Sequence, residues 1–458
     1  MNRSFRIELR RSNALPLVAA VLAVMVLSDF LLGERNSWDG NWMKLAAGGR
    51  SSLLVMVVFA VGAGAMQAGL DYRRGVVELF ASTPRPRRSR VLPVALALAI
   101  ASVLAYLLTF AIASAWVAPY ATYANPLAIA GVVGVGAVTM VTAVWLGLLA
   151  GHLLPSRLTP PIASVLALLL MAVASEGLGS LGNGAALSLL LPDLSPSVEG
   201  AATVPGRVSA LQAVWLLAVG VSALAAFVSA RRRFRVLAVL PAVLALVLVA
   251  PQLPHGQGYI AAYTIDPRAA ELVCAAGTPR VCVTRVDAAR LTQVTAPARA
   301  ALTALARLPH SPTAVIEQPR IEASTVKPPP SDRGDTVWMD LTPYGVDRRG
   351  RMDPEDIKDL TVQLLANVGV SADRCLRTGG MSSADFAASE ISTAWLLGHP
   401  PTPDSRLPAG SQEQTRTGWT ALTSVPAAEQ RKRVATMRKA LLTCRGDVYT
   451  ILTKGKAR

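Results

Sequence analysis

No cysteine occurs in the first 252 residues of this chain, and no long apolar run occurs after them. Charged residues make up 16% and aromatic residues 5%, against 52% hydrophobic residues over 458 positions. That shortage of charge excludes an ordinary soluble protein. The apolar content is mostly Ala, Leu and Val, which suits lipid-facing helices and close helix packing. Only four histidines occur, and His255, His310 and His399 have no metal-ligand spacing. No Cys-x-x-Cys is present, which disfavours zinc and thioredoxin chemistry. No Gly-x-x-x-x-Gly-Lys-Ser/Thr phosphate loop is present either, so any nucleotide hydrolysis is expected from a separate chain. A Gly-x-Ser-x-Gly nucleophile elbow is also missing.

What is present is a set of apolar stretches near the roughly 20 residues that a bilayer-crossing helix needs. Seven are expected as spans: Ala14–Gly33, Ser52–Leu70, Val91–Ala118, Leu127–Leu154, Pro161–Gly179, Ala210–Ala230 and Val236–Gln252. Pro241 and Pro251 fall near the ends of the last, where a membrane helix tolerates them. The basic start and apolar first stretch have no small-x-small cleavage site after them, so an uncleaved first helix is expected.

The net charge is +16, with +10 in residues 1–252 and +6 in residues 253–458. Its placement reads as membrane topology and not as a nucleic-acid surface. Arg3, Arg6, Arg10 and Arg11 precede the first span. Arg73, Arg74, Arg85, Arg87, Arg88 and Arg90 follow the second, Arg157 the fourth, and Arg231, Arg232, Arg233 and Arg235 the sixth. The intervening connections are poorer in basic residues, and residues 34–50 form a mixed loop. This predicts a plasma-membrane protein with its N-terminus in the cytoplasm and residues 253–458 outside. Trp38 and Trp42 are expected at the outer interface. Within the spans the charges are Asp29 and Glu176, both expected to reach the outer interface, and Gly147 and Gly151 predict a close helix contact within the chain.

The C-terminal residues 253–458 read as a mixed α/β extracytoplasmic domain. Strands are expected near Leu272–Cys274, Val281–Val286, Thr313–Ile316 and Val337–Leu341. Helices are expected at Ala288–Arg307, Pro354–Val368, Ala384–Leu397 and Ala427–Thr443, the last with Arg431, Lys432, Arg433, Arg438 and Lys439 on a solvated face. Cys274 and Cys282 flank the turn Gly277-Thr278-Pro279, so a cross-strand disulfide is expected there. Cys375 and Cys444 would then close a loop of about 70 residues, worth on the order of 4 kcal/mol in the chain-entropy model. Ser389-Glu390-Ile391-Ser392-Thr393-Ala394-Trp395-Leu396 has the outline of a zinc-peptidase helix. Ser389 and Thr393 stand where both ligand histidines would be needed, so no enzyme activity is expected from it.

The connection 71–90 is the most informative loop. Gly75-Val76-Val77-Glu78-Leu79-Phe80-Ala81 predicts a short amphipathic helix, ended by Pro84 and Pro86. Such an elbow suits docking of a cytosolic protein or rest on membrane lipids, and the pattern favours neither. The basic amphipathic start at residues 1–13, with Arg6-Ile7-Glu8-Leu9-Arg10-Arg11, the elbow from Arg74 to Pro86, and six spans with a long outer loop between the fifth and sixth resemble ABC-2 type permeases of actinobacterial ABC transporters. The resemblance covers about residues 1–235. It implies that Val76, Val77, Glu78, Leu79 and Phe80 meet an ABC ATPase subunit, that ATP is bound by that partner and no cofactor by this chain, and that two permease halves, alike or different, form the pathway. The seventh span and the domain after it depart from that family's plan. The expected architecture is therefore a polytopic α-helical membrane protein of about seven transmembrane helices at 14–252, followed by the α/β domain. The alternative is a polytopic anchor displaying a binding or inactive peptidase-like module.

Overall fold

A computed structural model describes residues 16–20, 22–23, 38, 40–73, 87–180, 189–192, 200–229, 231–253, 263–319, 334–346, 351–371, 381–402 and 410–455. The chain divides into two compact units, Met1–Asp266 and Pro267–Arg458. The division falls after the composition break at 252 because Thr264–Ile265 pairs back onto Ala202–Thr203 within the first unit.

The first unit is a helical bundle. Its described elements are α1 (Trp42–Ser51), α2 (Leu53–Ala68), α3 (Leu70–Arg73), α4 (Arg87–Val117), α5 (Pro126–Leu153), α6 (Thr159–Ser180), β1 (Ala202–Thr203), α7 (Gly206–Val228), α8 (Arg232–Leu237), α9 (Leu240–Val249) and β2 (Thr264–Ile265). Helix starts follow from local chemistry. Asn41 caps α1 by accepting from the backbone N–H groups of Met43 and Lys44, and Asn125 caps α5 ahead of Pro126, whose missing N–H costs nothing at a first turn.

Four described helices are long and apolar enough to cross a membrane: Arg88–Val117, Pro126–Leu153, Gly206–Val228 and Arg233–Gln252. A fifth candidate is the pair α1 and α2, bent by 44°. Seven spans are thus not reached among the described residues. Most of Ala14–Gly33 lies outside them, and the apolar part of α6, Thr159–Val173, is shorter. The expected mixed loop at 34–50 is corrected as well. Trp42–Ser51 is helical, and Trp38 is buried against Leu45, Ala113 and Val117.

Glycine lets α5 and α2 touch backbone to backbone. A Cβ on Gly147 would sit 2.2 Å from the Val61 carbonyl oxygen, one on Gly151 2.2 Å from that of Ala65, and one on Gly64 2.4 Å from that of Val144. The Gly-x-x-x-Gly motif is therefore used within the chain. Polar side chains join helices by bonding to backbone oxygens: Thr142 Oγ1 donates to Leu216 O at 2.8 Å, Ser164 Oγ to Val58 O at 2.9 Å and Trp145 Nε1 to Ala95 O at 3.3 Å. Next to Pro241, the Ala242 N–H donates to Ser222 Oγ at 3.1 Å, which satisfies an amide at the α8–α9 break.

The second unit pairs a sheet with a group of helices. Strands β3 (Leu272–Cys274), β4 (Arg280–Thr284), β5 (Ala314–Glu317) and β6 (Thr336–Met339) lie in that order. β3 and β4 form an antiparallel hairpin, while β4, β5 and β6 are parallel. A 3-10 turn (Arg285–Arg290) and α10 (Leu291–Leu305) make the crossover from β4 to β5. Next come α11 (Pro354–Leu365), a 3-10 turn (Ala366–Gly369), α12 (Ser383–Leu397), α13 (Ser411–Thr423), α14 (Ala427–Thr443) and α15 (Val448–Lys454). Val281, Val315, Val337, Leu305, Ile391 and Met437 belong to one core shared by sheet and helices.

Candidate functional site

The bundle buries a cation. Arg50 lies at the C-terminal end of α1, just before the bend into α2, and has no solvent exposure. Its Nε donates to the Pro192 carbonyl at 2.7 Å, and its Nη1 donates to Gln212 Oε1 at 3.1 Å. Gln212, equally buried on α7, uses Nε2 to bond Leu189 O at 2.8 Å and Leu191 O at 3.3 Å. One arginine and one glutamine thereby tie the α1–α2 bend, the 189–192 segment and α7 together. Burying a guanidinium costs several kcal/mol unless hydrogen bonds compensate it. The Pro192 carbonyl and Gln212 Oε1 supply part of that compensation.

Tyr106 adds a hydroxyl to the same region. Its ring is buried, and the built Cβ positions on Gly136 and Gly49 lie 2.2 and 3.9 Å from its Oη. A side chain at 136 would occupy the space of that hydroxyl, so glycine is required there. Arg50, Gln212 and Tyr106 bring polar chemistry from α1, α7 and α4 into an otherwise apolar bundle.

Sequence reasoning missed this site because the second span was begun at Ser52. The available signal was Asn41 before Trp42-Met43-Lys44-Leu45, a capping residue that extends the helix upstream and draws Arg50 inside it. Of the two intramembrane acids read from sequence, Asp29 lies outside the described residues, as does the side chain of Glu176. His152 packs edge-on against Phe227, with ring centroids 5.7 Å apart.

A second polar cluster lies within the same unit. Tyr123 Oη and Asn125 Nδ2 both donate to Asp266 Oδ2 at 2.8 Å. The Asp266 N–H donates to Ala201 O at 2.9 Å, and Asn41 Nδ2 donates to Gly200 O at 2.9 Å. Asp266 is the last residue of the unit. The α4–α5 loop and the segment before α7 are therefore both fastened to it.

The elbow residues Val76, Val77, Glu78, Leu79 and Phe80 lie outside the described residues. Cys274 and Cys282 face each other in the β3–β4 register and form a disulfide, as the hairpin pattern predicts. Cys444 is also disulfide-bonded, and Cys375 lies outside the described residues. The peptidase-like segment does form a helix, α12, with a capping box from Ser382 and Asp385. Its Ser389 and Thr393 are buried, and Ser389 Oγ accepts from the Asn367 N–H at 3.2 Å. Ser389 thereby fastens α12 to the 366–369 turn.

The solvated basic face expected on α14 needs correction. Arg431, Lys432 and Lys439 are exposed. Arg438 is buried and donates to the carbonyls of Val368, His310 and Gly334. Arg433 donates to Glu429 and to the carbonyls of Leu452 and Thr453, closing the end of α15. Three of the segments that Arg438 holds contain left-handed backbone, at His310, Val368 and Gly334. For the β-branched Val368 this conformation is costly, so the contact offsets real strain.

The second unit also buries two acids at the carboxyl ends of its parallel strands, Asp287 and Glu317. Among the described residues no group of three or more His, Cys, Asp or Glu could hold a metal ion. In comparisons with known proteins, no family model, no curated protein and no solved structure matches the chain.

Proposed function

We propose that this chain is the membrane-spanning subunit of an ABC-2-like transporter, powered by ATP hydrolysis on a separate ATPase subunit. In this reading it has about seven spans, a cytoplasmic N-terminus and an extracytoplasmic C-terminal domain, and it pairs with a second permease half. It performs no bond chemistry of its own.

The observation that carries the reading is the buried Arg50 network at a broken span. Charges held inside an apolar bundle mark functional positions by default, and breaks in membrane helices are tolerated where protein or a water-lined path covers them. The resemblance of Arg74–Pro86 to a coupling elbow supports the same reading. The ATPase would push on Val76–Phe80, which follow α2 and α3 in the chain. Because α2 and α5 touch through Gly64, Gly147 and Gly151, they would move as one body. The bend at Ser52 would take up the motion, and Arg50 would hold or release it.

The test is a pair of substitutions in the full-length protein. Val77→Asp with Phe80→Asp is expected to abolish association with the ATPase while membrane insertion is retained. Arg50→Gln is expected to keep that association and impair ATP-driven movement of α1 relative to α7, followed by distance measurements between spin labels. If the elbow variant binds the ATPase as the wild type does, the coupling assignment is wrong.

A further inference from the structure

We propose that the carboxyl groups of Glu317 and Asp287 hold one proton between them, and that its release loosens the carboxyl edge of the C-terminal sheet, making this domain pH-responsive. This inference is independent of the transport reading.

The geometry comes first. Thr284 ends β4 and Glu317 ends the neighbouring parallel strand β5. The Thr284 N–H and hydroxyl both bond Glu317 Oε2, at 2.6 and 3.0 Å. Asp287, on the 3-10 turn after β4, places Oδ2 3.4 Å from the same Thr284 hydroxyl, so the two buried carboxyl groups converge on one donor. Glu317 is 4% exposed, Asp287 9% and Arg290 4%. Two ionised carboxylates are acceptors only and cannot bond to each other. The Thr284 hydroxyl has a single hydrogen to donate, so two carboxylates converging on it leave one without that donor, and a proton held by one of the acids removes the conflict.

The charge balance assigns that proton to Glu317. Arg290 Nε lies 3.4 Å from Asp287 Oδ1, so this buried cation sits beside Asp287. Arg290 Nη1 is directed to the Leu341 carbonyl at 3.0 Å. Charged groups on the surrounding elements are engaged with other partners: Glu271 with Arg285 at the surface, Arg299 with the Ala276 carbonyl, and Asp340 with the Thr342 N–H. Burial raises the Glu317 pKa well above the usual carboxylate range, the Asp287 charge raises it further, and the Thr284 donors oppose both.

The sign of the linkage follows. The folded domain keeps a proton that the unfolded chain releases near the ordinary glutamate pKa of about 4.3. Its contribution to stability is complete below that value and is lost as pH rises toward the raised folded value. Within that window one proton corresponds to roughly a tenfold loss of protection per pH unit. An ionised Glu317 would crowd the Asp287 carboxyl at the Thr284 hydroxyl in a dry setting, and separation of β4 from β5 would relieve that crowding.

The test is hydrogen exchange on the full-length protein in lipid nanodiscs, corrected for intrinsic exchange, across a pH series. The expected result is that amides at 281–284 and 314–317 lose protection as pH rises, by up to tenfold per unit, while α14 amides do not. Glu317→Gln, which mimics the protonated acid, should remove that dependence and keep high protection at alkaline pH. A pH-independent wild type, or a Glu317→Gln profile that tracks the wild type, would overturn the proposal. Infrared spectroscopy of the wild type decides the matter even if the variant fails to fold. A protonated carboxylic C=O band must persist above the pH at which ordinary carboxylates have ionised and disappear as pH rises further, and its absence there refutes the shared proton.

Discussion

The two units bury arginine for different ends. In the helical bundle, Arg50 bonds Gln212 and a carbonyl of the 189–192 segment at a helix bend, where nearby contacts are made through glycine. In the C-terminal domain, Arg438 gathers three loop carbonyls around strained turns. Small residues decide helix spacing in the first unit, because lipid tails give apolar helices no preference for one another over lipid. Large apolar side chains decide it in the second, where Leu305, Ile391 and Met437 share one core. Arg50 thus sits at a place where helices change direction, while Arg438 fastens loops to a core that is already cohesive.

The largest effect should come from Arg438→Ala. Three carbonyls lose a charged donor, and at about 1–3 kcal/mol for each orphaned group the domain should lose on the order of 4 kcal/mol. Arg431→Gln on the same helix should stay within about 0.5 kcal/mol. Thermal unfolding of the purified protein, followed by hydrogen exchange in α14, measures both. Equal effects from the two would erase the distinction between staple and surface.

Next in size is the bundle. Gly147→Ala places a methyl group 2.2 Å from the Val61 oxygen, and forcing α2 and α5 apart should cost about 3 kcal/mol. Gly134→Ala, with nothing within 4 Å, should be neutral or slightly stabilising. Thermal denaturation in detergent compares the two. If Gly147→Ala is silent, glycine does not set the spacing of α2 and α5.

Removing the hairpin disulfide with Cys274→Ser and Cys282→Ser should cost about 2.5 kcal/mol in the chain-entropy model for so short a loop. The loss should appear in exchange at β3 and β4 and leave the bundle unchanged. A smaller loss is expected from Asp266→Asn. It keeps an acceptor for Tyr123 and Asn125 but removes the charge, for roughly 1 kcal/mol, read as faster exchange in the α4–α5 loop.

The sequence was most legible where a single period governs a segment. Strand β3 and helix α14 fall at the expected boundaries, and the spans matching α4, α5 and α7 were found from apolar length alone. The disulfide followed from turn chemistry between two β-prone runs. Helix α13 was not seen because Ser411-Gln412-Glu413-Gln414-Thr415-Arg416-Thr417-Gly418 carries no apolar stripe to show a helical period. It forms because its small face, with Thr415 and Gly418, lets α12 approach, and a Cβ on Gly418 would meet Ile391 Cδ1 at 2.5 Å. Helix α15 was not read from the sequence, yet Ile451 and Leu452 enter the core. Arg50, Arg433 and Arg438 were misplaced for one reason. A charged residue looks solvated by composition, and only the fold shows the carbonyls that receive it.

The central claim is that this chain works with a separate ATPase, and affinity purification of the tagged full-length protein in mild detergent from its native host tests it most directly. Mass spectrometry should find an ATPase with a phosphate-binding loop in a stoichiometric ratio, lost in the Val77→Asp, Phe80→Asp double variant. Recovery of the chain alone, or with surface proteins and no ATPase, would contradict the transporter reading and leave a membrane-anchored display module in its place.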